Sequence, residues 1–153
     1  MKKQIFLLNE QTYGLIVETI AHAEHDGSLQ VSIGPVHESR SIAQNALYWA
    51  WLSALSEDTG NTVDYLHERF KSTYLLRIYL ADPENDRQKE WVALYDVIKE
   101  DGTPLMIKRA LQTISTTWAT VEQFKEYLNQ IEQFCHDQDL HLPANPNYTE
   151  AMG

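Results

Sequence analysis

Three sets of residues have types and spacings that could do chemistry. His22 and His25 stand three apart in HAEH, a spacing that sets two imidazoles on one helix face within reach of a shared metal ion. Cys135, His136 and His141 are a second set of metal-ligand type. Asp64 with Glu68, and Asp96 with Glu100, are carboxylates at i, i+4, the raw material of a metal-dependent nuclease. Each set has a plain alternative. Two histidines leave a coordination shell incomplete and are ordinary on a surface. Cys135 continues an apolar helical stripe, which reads as a buried structural thiol. A chain with 22 acids throws up such carboxylate pairs by chance, and an acidic helix face is usually just solvated.

The motif census is negative elsewhere. There is no H-N-H, no H-E-x-x-H and no glycine loop of the G-x-x-x-x-G-K-[ST] or G-x-G-x-x-G type. No Ser or Cys sits in a nucleophile elbow. The expectation is a non-enzymatic protein with no catalytic residue, no metal site and no cofactor. Tyr48, Trp49 and Trp51 could stack on unpaired bases. Set among Ala and Leu at helical spacing, they read instead as packing for a core or a dimer. Arg40 lies just before that helix, where it can reach a phosphate or a carboxylate of a neighbouring element.

Charge narrows the binding classes. The net charge of −10 argues against a general electrostatic grip on nucleic acid. The distribution is uneven. Residues 116–153 carry Glu122, Glu126, Glu132, Asp137, Asp139 and Glu150 against Lys125 alone. Residues 41–80 are nearly balanced, with Arg69, Lys71 and Arg77 against Glu57, Asp58, Asp64 and Glu68. Any polyanion surface must therefore be local. Arg40, Arg69, Lys71, Arg77, Lys108 and Arg109 are the candidates for it. The single cysteine excludes an internal disulfide and suits a reducing compartment. The apolar run IFLL is too short for a signal peptide, and no run approaches the ~18 apolar residues of a membrane span.

The elements that must position these residues follow from periodicity. Lys3–Leu8 reads as a strand. Tyr13, Ile16, Val17, Ile20 and Ala21 repeat as a helix with Asn9 as N-cap, closed at Asp26-Gly27. Leu29, Val31 and Ile33 alternate as a second strand. From about Ser41 to Asp58 runs a helix whose apolar residues cover nearly the whole circumference, opened by the capping-box spacing of Ser41 and Gln44. Thr62 caps a helix that carries Val63, Leu66, Phe70 and Tyr74 as its stripe, with Glu68, Arg69, Lys71 and Ser72 off it. Glu84–Lys99 reads as a helix, and Thr103–Ser115 as a short helix or a strand. Thr120 and Gln123 repeat the capping-box spacing before the stripe Phe124, Tyr127, Leu128, Ile131, Phe134 and Cys135. The expected fold class is α+β, an N-terminal β-α-β unit followed by a mainly helical remainder. It forms a single domain over residues 1–143 with a loose tail over 144–153.

One stretch carries a family resemblance. Arg40-Ser41-x-x-Gln44-Asn45-x-x-Tyr48-Trp49-Ala50-x-Leu52 resembles the RS-x-x-QN-x-x-x-W-A signature of the NinB family, the Orf-type recombination proteins of lambdoid phages and prophages. His67-Glu68-Arg69-Phe70-Lys71 is similar to an H-E-x-x-K element in phage relatives of that signature. Ile114-Ser115-Thr116, the closing helix and Leu140-His141-Leu142-Pro143 are similar to the family's serine-threonine turn, last helix and terminal proline. The resemblance implies a homodimeric, non-enzymatic recombination mediator in the bacterial host cytoplasm. It would bind single-stranded DNA or single-strand/duplex junctions and act with the host single-strand-binding protein. It casts Asn45, Tyr48, Trp49, Trp51 and Leu52 as the helix that serves both core and dimer. Two alternatives stand beside it: an acidic adaptor that targets host replication or repair proteins with little DNA binding, and a metal-dependent nuclease.

Overall fold

The structure is a computed structural model that describes residues 5, 9–31, 33 and 42–153. The chain divides into two units, Met1–Val36 and His37–Gly153.

The first unit holds one helix, α1, Glu10–Ala21. Asn9 caps it as the sequence predicts, through a reciprocal pair. Asn9 Oδ1 accepts from the Thr12 N–H at 3.0 Å, and Thr12 Oγ1 accepts from the Asn9 N–H at 3.0 Å. The helix stops earlier than Asp26-Gly27, at His22, whose N–H donates to Glu18 O. Asp26 instead shapes the turn beyond. Its carboxylate accepts from the N–H and hydroxyl of Ser28, which holds it below the usual carboxylate range, and Gly27 takes a left-handed φ of 84°. No residue of α1 is buried.

The α+β expectation fails here. Among the described residues there is no strand, and every regular element is helical. Leu29, Val31 and Ile33 are exposed and irregular. Alternation selects which side chains share a face, but a strand also needs a neighbour to take its N–H and C=O groups. No described residue offers that ladder. The other strand, Lys3–Leu8, lies outside the described residues except for Ile5.

The second unit is built from seven described α-helices. They are α2 Ile42–Thr59, α3 Val63–Phe70, α4 Leu76–Ala81, α5 Asp86–Asp101, α6 Pro104–Gln112, α7 Val121–Asp137 and α8 Tyr148–Met152. Local signals place most of their starts. Thr62, Asn85, Thr103 and Thr120 each accept a backbone N–H three residues on, and Pro104 opens α6 where its missing donor is not needed. Thr120 and Gln123 close the predicted capping box. Gly60, at φ 75°, turns the chain between α2 and α3. Gly102 ends α5 where a Cβ would lie 2.3 Å from Ile98 O.

Helix α2 is central to the core, though not on all sides. Ala43, Gln44, Leu47, Tyr48, Trp51, Leu52 and Leu55 are buried, an arc of about half the circumference. They pack against α3, α7 and α8. Ile42 and Trp49 remain partly open on the opposite side. The tail that the sequence reads as loose carries α8, whose Ala151 is buried and whose Ala151 O accepts from Gln44 Nε2 at 3.3 Å.

Helices α3 and α4 form one rod interrupted by a wider π turn over Lys71–Leu75, where the Leu76 N–H reaches back five residues to Lys71 O. The inserted residue rotates the stripe. The buried positions run Leu66, Phe70, Lys71, Leu75, Tyr79, so Lys71 turns inward from the off-stripe position that a regular helix would give it.

Candidate nucleic-acid interface

An open groove of about 610 Å³ lies between α3 with its π turn and α6. Asp64, Tyr65, Glu68, Arg69 and Ser72 line one wall, and Lys108, Leu111 and Gln112 the other. Tyr65 and Arg69 are one turn apart, so ring and guanidinium stand in adjacent rows on α3. The Tyr65 ring is 49% exposed, enough of an open face to stack on.

The far wall is held by the loop that follows α6. This loop has no ladder for its carbonyls, and buried or half-buried side chains supply the donors. Lys71 Nζ donates to Ile114 O at 2.9 Å, and the Tyr79 hydroxyl to Ser115 O at 2.7 Å. Asn85 Nδ2 and Gln88 Nε2 both donate to Trp118 O, at 2.8 and 2.7 Å. Trp91 Nε1 donates to Thr113 Oγ1 at 2.9 Å.

The groove's charge is settled by the same lysine. Lys71 Nζ lies 2.8 Å from Glu68 Oε1 and neutralises it from below. What remains is Asp64 against Arg69 and Lys108, a small local excess of positive charge on an acidic protein. Lys71, expected on the DNA surface, is thus buried and spans Glu68 and Ile114. Arg77 and Arg109 are exposed but do not line the groove. Arg40 lies outside the described residues, as does Ser41. Tyr65, Ser72 and Gln112 were not singled out by sequence. The i, i+4 spacing of Tyr65 and Arg69 on one helix could have paired those two, whereas nothing local marks Ser72 or Gln112.

A polar chain runs beneath α2. The Tyr48 hydroxyl lies 2.7 Å from His67 Nδ1 and 3.0 Å from the Tyr127 hydroxyl. Burial, with Tyr48 alongside, pushes Tyr127 well above the usual tyrosine range, so it stays protonated. Trp49 lies against His67 at 5.0 Å between ring centroids. Gln44 Nε2 also donates to Val121 O at 2.9 Å. The motif stretches therefore meet in the core: Tyr48 of the first joins His67 of the second, and Lys71 of the second joins Ile114 of the third. Trp51 and Leu52 are buried with them. Asn45 is half-buried, and its Oδ1 accepts from no described residue.

No family model, curated protein or solved structure matches the chain. The functional reading rests on the geometry and the motifs.

His22 Nδ1 and His25 Nε2 lie 2.8 and 3.3 Å from Glu18 O and Ile20 O, so each ring is turned to its own helix. Asp64 and Glu68 share the groove, while Asp96 and Glu100 do not line it. Among the described residues no group of three or more His, Cys, Asp or Glu is placed to hold an ion. The Cys135 thiol is pushed up to about 11, by burial first and Glu132 second, which leaves it protonated and unreactive at neutral pH. Among the described residues no helix is long and apolar enough to cross a membrane.

Proposed function

We propose that the chain is an accessory protein of phage or prophage recombination that binds single-stranded DNA in the α3–α6 groove. The observation that carries this reading is the placement of an exposed Tyr65 beside Arg69 and Lys108 in one groove whose Glu68 is already neutralised by Lys71. Single-strand binders combine an aromatic face for the base with cations along the backbone. The three motif stretches that resemble the NinB family supply the biological setting: a homodimer in the host cytoplasm, working with the host single-strand-binding protein and catalysing nothing. The test is fluorescence anisotropy with a labelled thymidine homopolymer across a salt series. Binding should weaken steeply with salt, as counterion release requires. A folded protein that fails to bind at low salt ends the proposal.

One observation favours a second reading, the adaptor. The outward face of α7 carries the exposed Glu122, Glu126 and Asp137, with Asp139 just beyond. Recovery of a host protein from nuclease-treated lysate, with no oligonucleotide binding, would support that reading instead.

A further inference from the structure

The polar side chains of the α3–α6 groove divide into those already engaged and those not. Glu68 is paired with Lys71, and the Ser72 hydroxyl donates to Glu68 O at 2.9 Å. Asp64, Arg69, Lys108 and Gln112 make no side-chain hydrogen bond or ion pair with any described residue. Two of these four are cations suited to phosphate. Asp64 is the opposite: its carboxylate repels a strand unless a base donates to it. We infer that Asp64 makes the groove selective for guanine. One guanine of the strand stacks on Tyr65 and donates its N1–H and its N2 amino group to the Asp64 carboxylate. The inference rests on the groove being the single-strand site.

Chemistry, position and room support it. An ionised carboxylate only accepts hydrogen bonds, through two oxygens. Among the bases of DNA, guanine alone presents two donors side by side on its Watson–Crick edge. Adenine and cytosine set one donor beside an acceptor, and thymine sets one donor between two acceptors. Unpaired bases are read on that edge while their faces stack on aromatic rings. Asp64 and Tyr65 are neighbours in the first turn of α3, and both line the groove. The Tyr65 ring is about half open, so a base can reach it. The other acid of the wall, Glu68, is already engaged by Lys71, which leaves Asp64 as the free acceptor. Gln112 stands one turn beyond Lys108 on the facing wall. Its amide can donate to the guanine O6, the acceptor next to those two donors. At about 610 Å³, the open groove has several times the room of the roughly 150 Å³ cavity that encloses a benzene ring, so a fused purine enters without displacing the core.

The experiment measures anisotropy with short labelled thymidine strands whose central base is thymine, guanine, adenine, cytosine or hypoxanthine. The native protein should bind the guanine strand roughly tenfold tighter than the thymine, adenine or cytosine strand, within the range of one two-bond base contact. Hypoxanthine keeps N1–H and O6 but lacks the amino group, and should bind roughly fivefold more weakly than guanine. In Asp64→Asn the guanine preference should vanish, while the all-thymidine strand binds more tightly because a negative charge is gone. General electrostatics alone would strengthen every strand equally. Gln112→Ala should lower the preference about threefold, as loss of one ordinary hydrogen bond implies. Asp96→Asn, an exposed acid that does not line the groove, should leave the preference unchanged. Circular dichroism checks that each variant folds, and the hypoxanthine strand tests the same contact in the native protein with no substitution at all. Equal affinity for all five strands overturns the guanine contact and leaves the groove standing. A preference that survives Asp64→Asn overturns the role of that carboxylate. Failure of the native protein to bind any strand at low salt overturns the groove and the guanine contact together.

Discussion

Gln88 and Gln123 hold each other by both ends of their amides. Gln88 Nε2 donates to Gln123 Oε1 at 2.7 Å, and Gln123 Nε2 donates to Gln88 Oε1 at 2.9 Å. Both side chains are buried, and each also serves backbone groups. Gln88 binds Trp118 O and the Glu84 N–H, and Gln123 binds Asp82 O and the Thr120 N–H. The pair locks α5 to the start of α7 and anchors the loop that ends the groove's far wall. Gln123→Leu should destabilise the protein by about 1–3 kcal/mol, since it leaves buried polar groups unmatched. Gln88→Leu should do the same. Their double variant should cost less than the sum of the two, because each single change already breaks the shared bonds. Urea unfolding of all four proteins measures this; strict additivity would mean that the amides are not coupled.

This pair also marks where the sequence stops being readable. The caps at Asn9, Thr62 and Thr120 were legible because the partner lies three residues away. Gln123 was visible as the cap partner of Thr120, but its second partner is 35 residues distant and nothing local announces it. The π turn hid the role of Lys71 in the same way. Straight 3.6-residue counting leaves Lys71 off the stripe, and a single inserted residue rotates it into the core to bind Ile114 O. The aromatic density around Tyr48 and Trp51 marked α2 as a core helix, yet composition alone overstated how much of it is buried. At Leu29–Ile33 a period of two was present without a described partner to pair with. Within the groove, Arg69 and Lys108 were picked out by charge, whereas nothing in the sequence places α6 opposite Tyr65.

Lys71 should behave as a structural residue before a DNA-binding one. Lys71→Ala removes the donor to Ile114 O and leaves Glu68 uncompensated in the groove. Because Glu68 is itself 44% exposed, the loss should be about 1–3 kcal/mol and not the larger cost of a fully buried broken pair. Arg77→Ala and Arg109→Ala, at exposed positions, should change stability by no more than about 0.5 kcal/mol. Thermal unfolding of the three variants side by side decides it. A Lys71→Ala protein as stable as the other two would place that ammonium in solvent.

Alkaline pH should loosen the fold. The Cys135 thiol rises from 9.0 to about 11 in the folded protein, through burial and then Glu132. The unfolded chain gives up this proton first, so stability is complete below pH 9 and is lost as pH climbs toward 11. The gap corresponds to about 3 kcal/mol. Tyr127, raised by burial and by Tyr48, adds to the loss once the pH passes 10. Cys135→Ala should be somewhat less stable at pH 8 but should lose less between pH 9 and 11. Urea midpoints at intervals from pH 8 to 11 test the sign; a curve for Cys135→Ala parallel to that of the native protein would show that the thiol does not contribute.

Gly102 should not tolerate a side chain. Its φ is negative, so the restriction is one of space and not of backbone region. A Cβ there would lie 2.3 Å from Ile98 O and 3.0 Å from Ile98 Cγ2, both fixed by α5. The Gly102 N–H donates to that same oxygen at 2.7 Å, so the cap cannot shift without loosening its own bond. Gly102→Ala should destabilise by about 1–3 kcal/mol, the usual range for overpacking. Gly60→Ala probes a different cause, because its surroundings are open and only its φ of 75° resists. That change should cost about 1 kcal/mol. Reversal of the order of the two would make backbone conformation, not the approach of Ile98, the governing constraint.

The groove residues should separate into two kinds by their salt dependence. Arg69 and Lys108 would act on phosphate, and each contact to a single strand contributes about 0.7 to the slope of log affinity against log salt. Arg69→Ala and Lys108→Ala should each flatten that slope by about this amount and weaken binding most at low salt. Tyr65 carries no charge. Tyr65→Ala should lower affinity by roughly 5- to 150-fold, the span of one base–aromatic stack, with the slope unchanged. Its 49% exposure makes a large loss of stability unnecessary for that effect, and circular dichroism of the variant checks it. Asp64→Asn supplies the opposite sign: removing the one uncompensated carboxylate of the groove should strengthen binding. If Tyr65→Ala instead changed the slope, or Asp64→Asn weakened binding, the strand would have to lie elsewhere than between α3 and α6.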